Sequence, residues 1–298
     1  MTRARRGLEG LLAHVRPTFM LPAVGMSAYG AALAPNIAFE WSIAALHAAT
    51  VGLALYVAHL RDGYVDGHLR GEEEPRLGVS TFRWGVGAGS AGVLLLSGIL
   101  AATAGPIPAL STIALLSLAL LHAPYLDRHP VTVTVDYPLG IALTLVGGYA
   151  TQSDVIDPLV VLVALLFAGL LSGIKIGIDR LDESFDESIG KRTIPVALSA
   201  SGADRVALGV FSFTAVAVVG LGLGGLLGVV SARPLFAFAA ASAPVTCALA
   251  TMRLDDESLV RVQMTSTYVF AVALFFAACD GGCTGFVLVE RVIETVVR

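Results

Sequence analysis

Nine stretches of this sequence, at 17–34, 42–60, 84–103, 107–123, 134–152, 157–178, 206–230, 234–251 and 264–288, are apolar and almost free of charge. Each has about the length a helix needs to cross the roughly 30 Å hydrocarbon core of a bilayer. Lipid offers no partner to an open backbone N–H or C=O, so such a chain is confined to helices that satisfy their own backbones. The expected fold is an all-α integral membrane protein, a bundle of about nine transmembrane helices. Composition agrees, since only 14% of residues are charged where soluble domains carry about a quarter. The connections leave no room for a separate soluble domain, and residues 1–298 read as one transmembrane domain. The two weakest stretches are the last two, one broken by Pro244 and the other carrying Asp280.

Positive charge alternates between loops. Arg3, Arg5, Arg6 and Arg16 precede the first stretch; Arg61, Arg70, Arg76 and Arg83 follow the second; Arg128 follows the fourth. Arg180, Lys191, Arg192 and Arg205 follow the sixth, and Arg253 and Arg261 the eighth, whereas the intervening loops hold only Arg233 and the tail Arg291 and Arg298. The positive-inside rule then puts the N-terminus and the charged loops in the cytoplasm, in a multi-pass protein of the cell membrane. The N-terminal arginines have the look of a signal peptide. No small-residue cleavage site follows them, so a retained first span preceded by an interfacial helix is expected. Nothing points to a nucleic-acid partner. Cys279 and Cys283 in "CDGGC" are too few for a metal centre; they read as small packing residues or, alternatively, as a disulfide, with packing the expectation.

Against this background, negative charge is concentrated in two places. "GIDRLDESFDES" packs Asp179, Asp182 and Asp186 with Glu183 and Glu187 into nine residues at the end of the sixth stretch. On a continuous helix, Asp182 and Asp186 share one face, with Asp179 at the preceding turn. "LRDGYVDGHLRGEEE" does the same after the second stretch with Asp62 and Asp66, followed by Glu72, Glu73 and Glu74. An even number of crossings separates the two segments, so they belong to one side of the membrane and are expected to face one cavity; their spacing hints at an internal pseudo-repeat. Like charges at this spacing repel, so a cation is expected to hold them. Mg2+ is bound by one or two carboxylates and keeps its other positions for water and phosphate. Nearby Arg61, Arg70, Arg76, Lys191 and Arg192 would contact phosphate oxygens. Such a site stabilises diphosphate as a leaving group and lets an allylic substrate ionise.

"DESFDESIGKRTIPV", Asp182 to Val196, closely resembles the second signature of the UbiA superfamily of intramembrane prenyltransferases, D-x3-D-x3-G-K-x-T-L-P-V, with Ile194 the mild change. The family's first signature, N-D-x2-D-x3-D, is altered in "DGYVDGHLR". Asp62 stands for the Asn, Gly63 for the first Asp and Arg70 for the last, while Asp66 is retained. "PRLGVS" (75–80) resembles a shortened form of the stretch that follows, "HVRPT" (14–18) the Arg-Pro of the first helix, and "YLDRHP", with Arg128, the basic position after the fourth span. The resemblance implies a UbiA-like bundle of nine spans around a central cavity, capped by a Mg2+-diphosphate site. It implies catalytic Asp62, Asp66, Asp182 and Asp186; metal ligation by these four and Asp179; and diphosphate binding by Arg16, Arg70, Arg128, Lys175 and Lys191. The implied partners are a prenyl diphosphate and, within membrane lipid, a hydrophobic acceptor: a quinone precursor, a glycerol lipid, a carotenoid, or none. The departures point to a divergent subgroup. Arg70 cannot ligate a metal; it is expected to contact diphosphate directly, or else Glu72 to Glu74 bend back to serve.

Several residues carry two readings. Lys175 is a diphosphate ligand or an i,i+4 partner of Asp179. His59 is a base acting on an acceptor or, as expected, a hydrogen-bonded packing residue. Tyr64, Tyr125, Tyr137 and Tyr268 line the cavity or anchor span ends, and Asp136 caps the fifth span or faces the cavity. "DDES" at 255–258 reads as a solvated loop, and "GLGLGGLLG" at 220–228 as a mid-membrane packing surface. For function, the transferase leads. A terpene cyclase of the same fold and a catalytically inactive relative are the alternatives, and a transporter or scaffold is opposed by the nearly apolar mid-span residues.

Overall fold

Proline and glycine punctuate the helices of the computed structural model, which describes residues 3–35, 39–279, 282–285 and 287. Pro106, Pro130, Pro158 and Pro234 each open a helix, where the missing N–H is no loss and φ is already helical. The order is α1 Arg3–Leu12, α2 Pro17–Leu33, α3 Trp41–Tyr64, a π-helical turn Val65–Arg70, α4 Val79–Ala104, α5 Pro106–Tyr125, a 3-10 turn Leu126–Arg128, α6 Pro130–Ala150 and α7 Pro158–Leu181. The chain continues with α8 Glu183–Ser188, α9 Ile194–Leu198, α10 Ala200–Leu226, α11 Pro234–Arg253 and α12 Asp256–Ala278. No strand occurs among the described residues; Pro35 and Cys283 form an isolated bridge. Eight helices, α3 to α7 and α10 to α12, are long and apolar enough to cross a membrane. A ninth, α2, has 17 residues, the lower end of the spanning range of about 17–25. The protein is therefore a multi-pass, all-helical membrane protein with close to nine spans.

Contacts divide the chain into two compact units. The first holds residues 1–31, 40–128 and 143–154, the second 32–39, 129–142 and 155–298. In the first, α3, α4 and α5 pack on one another. Here α2 meets the end of α6 backbone to backbone: a Cβ on Gly30 would lie 2.0 Å from the Leu145 carbonyl oxygen, and one on Gly148 2.1 Å from that of Ser27. Small residues at such a crossing let main chains approach closely in lipid. Beside it, His47 takes Ser27 Oγ at 2.7 Å and Ser111 Oγ at 3.2 Å on its two ring nitrogens, so these three buried polar groups satisfy one another. The amphipathic α1 lies against the same unit, with Gly10 on Leu77 and the Leu11 carbonyl accepting from Tyr56 Oη.

In the second unit α7, α10, α11 and α12 form the bundle. Asp157 caps α7 by accepting from Leu159 N, and Asp255 caps α12 by accepting from Ser258 N. The run 255–258 is thus not the expected solvated loop. Its carboxylates stabilise a helix start, and the last helix begins at Asp256, about two turns earlier than 264. The remainder of the expected 264–288 span, including Asp280, lies partly outside the described residues. The glycines at 220–228 do pack, Gly222 on Phe238 and Gly225 on Ala232, but at the end of α10 rather than mid-membrane. Asp136 sits inside α6, whose start at Pro130 is earlier than expected, so it is not a cap; its Oδ1 accepts from Tyr137 N. Cys279 and Cys283 are joined as a disulfide, which corrects the expectation of two packing thiols.

Candidate functional site

Each acidic segment begins where a long apolar helix ends. Asp62 lies in the last turn of α3, and from Val65 the hydrogen bonding widens into the π turn. Gly71 stops that turn with φ 70°, a conformation natural to glycine. The reversal sends both Gly71 N and Glu72 N to the Asp66 carbonyl, the latter at 2.9 Å, and so folds Glu72 back toward Arg70. Arg70 Nη1 lies 3.6 Å from Asp66 Oδ1 and 3.5 Å from Glu72 Oε1, while Nη2 lies 2.5 Å from Asp127 Oδ2. Asp127 comes from the 3-10 turn after α5 and is only 2% exposed. Three carboxylates thus converge on one guanidinium. Glu72 bends back as one expectation had it; Glu73 and Glu74 are exposed. The α-helical stacking expected of Asp62 and Asp66 is corrected, because the wide turn intervenes and Asp66 belongs to it.

Gly63 has a local explanation. A Cβ there would lie 2.3 Å from His14 Nε2 and 3.3 Å from the Phe82 ring. His14 donates Nδ1–H to the Gly10 carbonyl at 2.8 Å and stands edge-on to Phe82. Its burial, with Arg16 and Arg76 nearby, holds its pKa below the ordinary histidine value. Tyr64 and His68 pack on the same Phe82 ring, and His68 Nε2 donates to the Leu77 carbonyl. An imidazole therefore fills the space that a carboxylate at position 63 would require. Near Asp62, His122 Nε2 is 4.0 Å from Oδ1. His59 differs from expectation: both ring nitrogens are buried without a hydrogen-bond partner, and the ring meets the Phe19 ring. Arg61 Nε donates to the Ala123 carbonyl, and the guanidinium stands over the Tyr64 ring. Arg16 and Arg128 are exposed, as are Tyr125 and Tyr268.

The second segment breaks where a single helical face was expected. Helix α7 ends at Leu181, Asp182 sits at φ −102° between helices, and α8 starts at Glu183. Asp182 is exposed, whereas Asp179 and Asp186 are each 3% exposed. Lys175 makes an ion pair with Asp179 Oδ1, the i,i+4 contact that its spacing allowed. The other oxygen of Asp179, Oδ2, is buried with no hydrogen-bond partner. Lys191 approaches Asp186 Oδ1 at 3.6 Å, and its N–H bonds the Asp186 carbonyl at 2.9 Å around Gly190, φ 73°. Arg180, between Asp179 and Asp182 in sequence, pairs with Asp204 of α10 and Asp256 of α12 and so ties the end of α7 to both helices.

Both segments hold a buried carboxylate oxygen without a hydrogen-bond partner, Asp179 Oδ2 in the second and Asp127 Oδ1 beside the first; what sets the first apart is a cation of its own. The second offers hard oxygen donors, among them a buried carboxylate oxygen with nothing to accept from, which suits Mg2+. In the first, Asp66, Glu72 and Asp127 already share a cation of the protein's own. Among the described residues no three His, Cys, Asp or Glu groups are gathered closely enough to hold a metal. Sequence reading missed Asp127, which stands beside the noticed Arg128, and the partnerships of His14, His122, Asp204 and Asp256. Only an acid in a basic loop could have flagged the first; the others are contacts across many residues.

No family model matches the sequence, and a search of curated proteins finds no match. Comparison with solved structures does find relatives in fold. A digeranylgeranylglyceryl phosphate synthase superimposes with a TM-score of 0.72 at 14% identity, over 92% of this chain and 99% of that one. A UbiA homologue from Archaeoglobus fulgidus bound to GPP and Mg2+ gives 0.65 at 16% identity, over 91% and 98%. The apo form of a UbiA homologue from Aeropyrum pernix K1 gives 0.61 at 18% identity, over 93% and 99%.

Proposed function

From a chain with the UbiA-superfamily fold, we propose a Mg2+-dependent intramembrane prenyltransferase that moves an isoprenoid chain from a prenyl diphosphate to a lipophilic acceptor. The observation that carries this reading is the second acidic segment: Asp179, Asp182 and Asp186 at the end of an apolar span, with a buried carboxylate oxygen of Asp179 left without a donor. Prenyl diphosphate binding with Mg2+ in a fold relative supports the choice of substrate class. Asp179, Asp182 and Asp186 would hold Mg2+. When bound, the ion would neutralise the diphosphate and make it a better leaving group. The protein's own groups do the rest. Lys191 and Lys175, which pair with Asp186 and Asp179, would supply charge-assisted contacts to phosphate oxygens, and the apolar spans would keep water from the allylic carbon. The active-site loops and N-terminus face the cytoplasm of a cell membrane in this reading, which the arginine distribution supports.

The test follows diphosphate release from geranylgeranyl diphosphate by the purified protein in lipid, with and without a lipid extract of the host. Release that needs Mg2+ and extract, stops with EDTA and falls at least 100-fold in Asp182→Asn is the expected outcome, taking about 3 kcal/mol as the scale for one electrostatic group in a transition state. Release without extract, yielding a cyclised product, would replace the transferase by a cyclase. No release from folded protein would remove the enzyme reading.

A further inference from the structure

We infer that Arg70 is a built-in counter-ion that takes the place of one divalent cation in the first acidic segment, so that Asp66, Glu72 and Asp127 ligate no metal. This deepens the proposed function and rests on it only for the identity of the substrate. The guanidinium faces carboxylates on both of its terminal nitrogens: Asp66 at 3.6 Å and Glu72 at 3.5 Å from Nη1, and Asp127 at 2.5 Å from Nη2. Arg70 is mostly buried, its side chain 22% exposed, and Asp127 is almost wholly so. A guanidinium keeps its charge at any physiological pH, and its planar fork suits several carboxylates at once.

Charge arithmetic leads to the same conclusion. Position 70 is where the resembling motif carries an aspartate. Replacing −1 by +1 there changes the local charge by two, the charge of one Mg2+. Three carboxylates brought together without a cation would repel one another; here the cation is covalently part of the chain and is present before any ligand arrives. The surrounding backbone is shaped for this arrangement, since the π turn and left-handed Gly71 return Glu72 to Arg70. Arg70 is accordingly a positioning residue. With its donors turned to carboxylates, it holds the segment's shape rather than gripping phosphate.

The test counts Mn2+ bound per chain, from the EPR signal of free Mn2+ at equilibrium, using intact detergent-solubilised protein with Mn2+ alone. Asp66→Asn is expected to leave the count of the wild-type chain unchanged, and Arg70→Gln to raise it by one ion. A lower count in Asp66→Asn, or an unchanged count in folded Arg70→Gln, overturns the inference. If Arg70→Gln does not fold, the Asp66→Asn comparison decides alone. Because turnover is not the readout, a chain that fails to release diphosphate yet gains an ion in Arg70→Gln would sink the proposed reaction and keep this inference. A chain that turns over but shows either overturning count would do the reverse.

Discussion

Alanine at Gly30 tests the closest helix contact in the first unit. Its Cβ would lie 2.0 Å from the Leu145 carbonyl oxygen and 2.9 Å from Tyr149 N, against an ordinary heavy-atom contact of roughly 3.5 Å. Helices α2 and α6 would have to part by about 1.5 Å at that point. Both obstructing atoms are main chain, so no rotamer change relieves them, and the cost should reach the upper part of the roughly 1–3 kcal/mol range for overpacking. At about 1.4 kcal/mol per factor of ten, that is roughly a 30- to 150-fold shift in the unfolding equilibrium. The same helix carries its control: a Cβ on Gly25 meets nothing within 4 Å, so Gly25→Ala should be neutral or stabilising through helix propensity alone. Gly148→Ala opens the same crossing from the other side, at 2.1 Å from the Ser27 carbonyl oxygen. The double variant should therefore cost less than the two singles together. Equilibrium unfolding in mixed detergent micelles, followed by circular dichroism, measures all four. If Gly30→Ala and Gly25→Ala unfold at the same denaturant fraction, the backbone contact does not limit stability and the reasoning fails.

Two further perturbations read the electrostatics. His14 has a lowered pKa in the folded protein, from burial first and then Arg16 and Arg76, while Glu73 opposes them. The unfolded chain therefore binds more protons, and stability should fall as pH drops below about 6.5. Thermal melts between pH 7.5 and 5.5 should show this fall, flattened in His14→Gln; an identical slope in the two would refute it. Arg180→Ala removes one guanidinium from two acids on other helices. It should cost about 1.5–3 kcal/mol, the scale for hydrogen bonds to charged groups, with Arg180→Lys recovering only part because an ammonium lacks the fork. A melt unchanged in Arg180→Ala would show that the clamp carries no stability.

The spans were legible because lipid imposes a simple code. Long apolar runs, with proline at their starts, place the helices to within a few residues, and α12 was misplaced only because its polar first turn looks like a loop until Asp255 is seen to cap it. What sequence spacing did not carry was local departure from α-helical geometry. The break at Asp182 separates three acids that a helical wheel puts on one face, and the π turn does the same for Asp62 and Asp66. Nor does spacing reveal partners such as Asp127 for Arg70, 57 residues away, or the ring of His14 over Gly63. The second signature was recognisable because its residues are also the ones that build its turn: Gly190 with positive φ, Lys191 on Asp186, and Pro195 opening α9.

The π turn at 65–70 bears on how this region could have diverged. A wide turn is what a helix becomes when it absorbs one extra residue without unravelling, so the register on its two sides is offset. Removing one residue between Val65 and Leu69 would let the turn relax to α geometry. Arg70, at the far end of the turn, would keep roughly its direction from the axis, and only the residues inside the turn would change the face they present. One codon can thus be gained or lost here while the guanidinium of Arg70 stays beside Asp127. Among relatives of this chain, length in this turn should therefore vary independently of the residue at position 70.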